Sequence, residues 1–220
     1  DAWCSGAAAA VARGELTVHE AASDLRRDWL NLLMGVGEPK APSWSGYYLN
    51  PSSSLIGESS LQVRRIYKRF GFEMEHKNQE PDDHLGIMLG FIAVLIGLEL
   101  DRAASRGAAE DGPAAGGFSR EDRDKAARRG GSESGDALGQ ANEVAAPAAT
   151  NAAAECQMRL LEKYILPWLP LWRWSVERFA RTDFYRGVGD FVFGLVRCYA
   201  CRFGFRYVSD ETNPHFVLGS

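Results

Sequence analysis

The chain has 220 residues, 45% of them hydrophobic and 11% aromatic, enough to bury a substantial core within one domain. Its formal net charge of -4 leaves no basic footprint of the kind nucleic acid requires. The four cysteines, Cys4, Cys156, Cys198 and Cys201, are too few and too scattered for a disulfide framework and fit a reducing compartment.

The opening Asp1-Ala2-Trp3-Cys4-Ser5-Gly6, followed by four alanines, has no basic leading region and does not read as a secretory signal. Val18 to Leu33 places Ala21, Ala22, Leu25, Trp29, Leu32 and Leu33 at helical spacing, which predicts an amphipathic helix ended by Gly35-Val36-Gly37-Glu38-Pro39. A long loop follows, with Trp44, Tyr47 and Tyr48 close together. Ser60 to Phe70 reads as a short basic amphipathic helix with Gly71 as its stop.

Glu80-Pro81-Asp82-Asp83-His84 opens directly onto the apolar run Leu85 to Leu98. The expected structure is a helix over Glu80–Glu99 that is apolar almost all round and central to the core. Proline suits a first helical turn, and Asp82 and Asp83 are suited to cap the free amides there. His84 does not fit that account, because a cation is badly placed at the positive end of a helix dipole. The 14 uncharged residues from Leu85 to Leu98 are too few to span a bilayer.

Residues 101–154 are different material: 17 alanines and eight glycines, with only Phe118, Leu138 and Val144 as sizeable apolar residues. They hold nine of the 29 acids and seven of the 25 bases, so the remainder carries 20 and 18 and is nearly neutral. Such a segment buries too little to offset the entropy of ordering it. It reads as a flexible insertion, with a short helix allowed around Ser119 to Arg129.

Glu155 to Phe205 predicts two further helices rich in aromatics. Leu160, Leu161, Tyr164, Ile165, Trp168, Leu171 and Trp172 form one stripe, interrupted by Pro167 and Pro170. Phe184, Val188, Phe191, Val192, Leu195, Val196 and Tyr199 continue the period, and both stripes read as core. Cys198 and Cys201 form a lone C-x-x-C without the further ligands zinc needs, and are expected to pack against the bundle. No repeat and no β-hairpin pattern is evident. The fold class is therefore all-α: one domain over 1–205, with an N-terminal half 1–100, a flexible insertion 101–154, a C-terminal half 155–205, and a tail 206–220.

Several segments follow a familiar order: Leu32-Leu33-Met34-Gly35, Ala41 to Leu49 with Pro42, Trp44 and Tyr47, Val63 to Phe72, then Glu80 to His84. Later come Leu166-Pro167-Trp168-Leu169-Pro170 and Asp183-Phe184-Tyr185. This order resembles the TorD/DmsD family of cytoplasmic chaperones for molybdenum-containing oxidoreductases, over Asp24–Gly97 and again over Glu155 to about Cys201. The resemblance implies a cytoplasmic protein without catalytic residues, metal or cofactor, which binds the precursor of a molybdoenzyme catalytic subunit and its twin-arginine signal peptide. It would assist cofactor insertion and delay export until the client is folded. It also implies a further helix ahead of residue 1, no stable membrane insertion, and exchange of halves between two chains as a route to a dimer.

The resemblance implicates Trp44, Glu80, Pro81, Asp83 and His84 in signal-peptide binding, and side-chain chemistry adds Asp82 as a further carboxylate and Tyr47 as a stacking face. Carboxylates can take a guanidinium in bidentate fashion, and aromatic faces stack on it. For each a plainer role stands beside this one: Trp44 as a loop anchor in the core, Glu80 as a solvated cap. The alternative is a helical metal-dependent phosphohydrolase using Asp83 and His84. That chemistry needs further ligands, and the other histidines are His19, His76 and His215, none on a helix with an acid at ligand spacing apart from His19-Glu20. No glycine-rich phosphate loop or G-x-S-x-G is present.

Overall fold

The computed structural model of the protein describes residues 2–35, 37–50, 57–74, 80–110, 149–210 and 213–219. These residues are mostly α-helical, as the hydrophobic periodicity implies. They group into two compact units, residues 1–55 together with 158–220, and residues 56–157.

In the first unit, α1 (Ala2–Ala12) is followed by Gly14 at φ +72°. Thr17 then opens α2 (Val18–Trp29) with a capping box. Its hydroxyl accepts from the Glu20 amide at 3.2 Å, while Glu20 accepts from the Thr17 amide at 2.8 Å. Two orphan amides are satisfied reciprocally. The helix continues as a π turn over Leu30–Met34 and stops at Gly35, whose φ of +68° suits a residue without a Cβ. Residues 40 and 41 then return to it, since the Lys40 and Ala41 amides donate to the Asn31 and Leu32 carbonyls. The short α3 (Ser45–Leu49) follows.

The chain re-enters this unit near the end of α6 (Ala149–Leu160), which passes into a second π turn over Leu161–Ile165. The two prolines interrupt the helix as expected: residues 166–168 form a turn, and α7 (Leu169–Phe179) restarts with Pro170 in its first turn. From Leu160 to Trp172 the predicted stripe is buried, apart from Leu171, which is exposed.

The next helix, α8 (Asp183–Ala200), departs from the predicted phase. Its buried positions are Gly189, Phe193, Val196 and Ala200, whereas Phe191 and Leu195 face solvent at 63% and 53% exposure. Gly189 is the reason. A Cβ there would lie 2.9 Å from Val176 Cγ1, so α7 packs closely on that line of α8 and turns Phe191 and Leu195 outward. Cys198 and Cys201 are also exposed, which corrects the expectation that they pack inside.

The tail contains a feature that the sequence reading did not anticipate. After the 3-10 turn Cys201–Phe203 and Gly204 at φ +81°, β1 (Phe205–Val208) and β2 (His215–Leu218) pair antiparallel, with Phe205 opposite Leu218 and Val208 opposite His215. Phe193 of α8 packs against Tyr207 and Phe216 at centroid distances of 5.0 and 6.0 Å, which docks the hairpin.

The second unit holds α4 (Glu58–Arg69) and α5 (Leu85–Glu110). Gly71 at φ +74° ends α4 as predicted. The expectation for α5 requires correction at both ends. It starts at Leu85, not Glu80, and runs to Glu110, past the predicted end at Glu99 and into the predicted insertion. Nor is it buried all round. Met88, Phe91, Ile92 and Leu95 line one buried stripe, while Leu98 and Leu100 are exposed. Phe91 gathers Tyr67, Phe70 and Phe72 at centroid distances of 4.6, 5.8 and 5.4 Å. Residues 149–154 of the predicted insertion likewise belong to a helix, α6, and residues 111–148, with the suggested helix at Ser119–Arg129, lie outside the described residues. Among the described residues no helix is long and apolar enough to cross a membrane.

Candidate functional site

The predicted site residues fall on two segments, one in each unit. Glu80 to His84 form one continuous segment between α4 and α5. Trp44 and Tyr47 belong to the other unit.

The segment 80–84 is shaped mainly by α4. Ser60, Arg64 and Tyr67 stand at i, i+4 and i+7, so they share one helix face. All three engage Asp82. The Arg64 guanidinium reaches Asp82 Oδ2 with Nε at 2.8 Å and its terminal nitrogen at 2.7 Å. The Asp82 amide donates to the Ser60 hydroxyl at 2.9 Å, and the Tyr67 hydroxyl donates to the Asp82 carbonyl at 2.9 Å. Asp82 and Asp83 are 2% and 1% exposed, and Pro81 is buried with them. Burial, reinforced by Asp82 and Asp83, pushes the Tyr67 phenol well above its ordinary range, so it stays a donor. These residues are therefore not the first helical turn: Pro81 precedes the helix, and Asp82 is held by an arginine and not by helix amides.

His84 caps α5. Its carbonyl accepts the first intrahelical bond, from the Met88 amide at 3.0 Å, and its amide donates to Pro81 O at 3.1 Å to close a tight turn. Its own ring takes the capping role, with Nδ1 accepting from the Gly86 amide at 3.1 Å. An accepting Nδ1 carries no proton, so the imidazole is neutral with its hydrogen on Nε2. Burial agrees, lowering the His84 pKa below its usual 6.5 although Glu80 and Asp83 pull the other way. The apparent conflict between a histidine and a positive helix end disappears, because this histidine is an uncharged acceptor. Gly86 gives it room, since a Cβ there would lie 3.3 Å from Nδ1.

In the other unit Trp44 takes the N-cap position of α3 in an extended conformation and is 9% exposed. It is thus largely an anchor of its loop. Tyr47 is 40% exposed, and its hydroxyl donates to Glu38 at 2.8 Å, a bond that raises its pKa. Tyr48 lies edge-on to Tyr47 and stacks on Trp168 at 4.9 Å with the rings 10° from parallel. Glu38, Lys40, Tyr47, Tyr48, Leu171 and Ser175 line an open cleft of about 380 Å³. Sequence reasoning did not find Ser60, Arg64, Tyr67 or Glu38. The signal was the i, i+4, i+7 spacing on α4, which on a basic amphipathic helix looks like solvent-facing polarity.

The phosphohydrolase alternative finds no support in this geometry. Among the described residues, no group of three or more His, Cys, Asp and Glu side chains is placed to hold a metal ion. His76 lies outside the described residues.

Residues 3–116, just over half of the chain, match the family model described as nitrate reductase delta subunit. The chain belongs to that family. Its curated relatives include the Tat proofreading chaperone DmsD of Salmonella typhi, 32% identical over 65 residues that make up 30% of this chain and 32% of the relative. The probable Tat proofreading chaperone DmsD of Haemophilus influenzae is 33% identical over 64 residues, 29% and 32% of the two chains. The chaperone protein TorD of Vibrio vulnificus is 30% identical over 77 residues, 35% and 36%. The TorD/DmsD resemblance read from the residues is thus borne out, and the match spans about a third of the length of these relatives.

Proposed function

We propose that this protein is a cytoplasmic chaperone for the precursor of a molybdenum-cofactor oxidoreductase. In this role it binds the apo catalytic subunit and its twin-arginine signal peptide, assists cofactor insertion, and delays export until the client is folded. It does so without covalent chemistry. Family membership and the likeness to the DmsD and TorD chaperones support the class of function.

The observation that carries the reading is the ordered acidic segment before α5. A recognition loop must be rigid before its ligand arrives, because ordering it on binding costs affinity. Asp82, pinned by Arg64 and Ser60, supplies that rigidity. Glu80 and Asp83 are the carboxylates proposed for the guanidinium groups of the signal peptide. His84 is proposed to donate through Nε2–H to a peptide carbonyl, with Pro81 holding its turn. On the other unit, Tyr47 offers an aromatic face for an arginine or an apolar side chain, and Trp44 fixes the loop beneath it. The same reading includes exchange of halves between two chains, which light scattering tests directly.

The decisive experiment is calorimetry with a synthetic twin-arginine peptide from a molybdoenzyme of the native host. Asp83→Asn combined with His84→Gln should weaken binding by at least about 1.5 kcal/mol, the low end for hydrogen bonds to charged groups. Circular dichroism establishes that the variant is folded. A folded variant of unchanged affinity would remove the segment from the site.

A further inference from the structure

The end of α8 and the turn that follows it carry two thiols that the packing does not use. Cys198 and Cys201 are both free and exposed, whereas Cys156 is buried. They lie three residues apart where α8 ends at Ala200 and the backbone tightens into the 3-10 turn Cys201–Phe203. An α-helix sets residues i and i+3 about 5 Å apart at Cα, within the roughly 4.4–6.8 Å that a disulfide spans. Cys201 already turns its sulfur back along the helix, with Sγ donating to the Arg197 carbonyl at 3.3 Å, one turn earlier and adjacent to Cys198.

The surroundings indicate which reagent suits the pair. Arg197 lies over the Tyr207 ring at 5.7 Å, and Arg202 lies 5.4 Å from the Phe203 ring and 6.0 Å from the Tyr199 ring. Arg197 and Arg202 are the immediate sequence neighbours of Cys198 and Cys201, a local excess of positive charge that favours a small anionic partner over a cationic one.

We propose that Cys198 and Cys201 form a redox-modifiable dithiol that exchanges with a small anionic disulfide, of which oxidised glutathione is the representative, and closes to an intramolecular disulfide. The step is balanced. One cysteine thiolate attacks a sulfur of the reagent, forms a mixed disulfide and displaces one reagent thiolate. The second cysteine thiolate attacks the protein sulfur of that mixed disulfide and displaces the other. Two protein thiols are oxidised, one reagent disulfide is reduced to two thiols, and the two protons pass to those leaving groups. Closure ties the end of α8 to the turn that leads into β1.

The test is to incubate the full-length protein with oxidised glutathione, block the remaining thiols with an alkylating reagent, and digest with trypsin. Cleavage after Arg197 and Arg202 releases both cysteines in one peptide. That peptide should be lighter by two hydrogens and carry no alkyl group, and should recover two alkylation sites after treatment with a reducing agent. Cys198→Ser should instead stop at a glutathione adduct on Cys201. The proposal is overturned if the wild-type peptide remains doubly alkylated, if it ends as a double glutathione adduct, or if either cysteine is found linked to Cys4 or Cys156.

Discussion

Two buried aspartates, one in each unit, show how differently this chain stabilises a carboxylate. Asp28 on α2 is fully buried and receives uncharged donors: the Arg181 amide at 3.1 and 3.0 Å to its two oxygens, the Thr182 amide at 2.8 Å, and the Thr182 hydroxyl at 2.7 Å. It thereby fixes the chain just before α8, where amide dipoles favour an anion. Asp82 is almost as buried but is met by a full cation, Arg64, whose own side chain is 23% exposed. One carboxylate is a staple between helices distant in sequence. The other sets the shape of a short loop and remains coupled to solvent through its partner.

That contrast orders the expected effects. Asp28→Ala leaves two backbone amides and a hydroxyl without their acceptor in a dry setting, and should cost about 3 kcal/mol. Chemical denaturation monitored by circular dichroism measures it, and a loss within experimental error would show that the staple is dispensable. Arg64→Ala should cost about 2 kcal/mol, below the ~3–5 kcal/mol of a fully buried broken pair because Arg64 is partly hydrated. The double variant Arg64→Ala with Asp82→Ala should lose less than the two single losses together, since neither group is then stranded. Strict additivity would mean that the pair has no energetic existence. Raising the salt concentration should weaken the Arg64 contribution and leave that of Asp28 unchanged.

A smaller effect separates the His84 cap from both carboxylates. The folded state holds this imidazole below the ordinary value of 6.5, so the unfolded chain takes up a proton first as the solution is acidified. Its contribution is therefore complete above pH 6.5 and is lost as pH falls below that value toward the lowered one. His84→Asn keeps a capping acceptor without a titrating group. It should flatten this part of the stability-against-pH curve while changing stability at pH 8 by less than about 1 kcal/mol. A slope that persists in the variant would assign it to other groups. The smallest effect is expected of Tyr47→Phe. Its exposed bond to Glu38 should be worth no more than about 0.5 kcal/mol in stability, so any larger change in peptide affinity reports on recognition alone.

The legible parts of the fold were those with long periodic patterns or glycine and proline punctuation. The α2 and α4 helices and the break at Pro167–Pro170 follow from such signals. The hairpin was illegible because each strand is only four residues long, too short for alternation to stand out, and its stability derives from Phe193 on another element. The phase of α8 escapes a stripe drawn through Phe191 and Leu195, which are exposed, because that stripe leaves out Phe193, which is buried. The small Gly189 decides which line of the helix approaches α7. At the candidate site, composition revealed the segment Glu80 to His84 but not its mechanics. Asp82 and Asp83 looked like caps, and only the side chains of α4 show that Asp82 is an anchor. The cap itself fell to the histidine that electrostatics alone seemed to disfavour.

The π turn at Leu161–Ile165 carries a consequence for how this helix tolerates length change. Its closing bond, from the Leu166 amide to the Leu161 carbonyl at 2.9 Å, encloses one residue more than an α-helical turn. Deleting a single residue there would restore regular winding and remove the irregularity locally. It would also rotate everything downstream by about 100°, carrying Trp168 away from the face on which Tyr48 stacks. A shortening that improves the backbone would thus dismantle an aromatic pair, which makes this extra residue part of the specification of the fold.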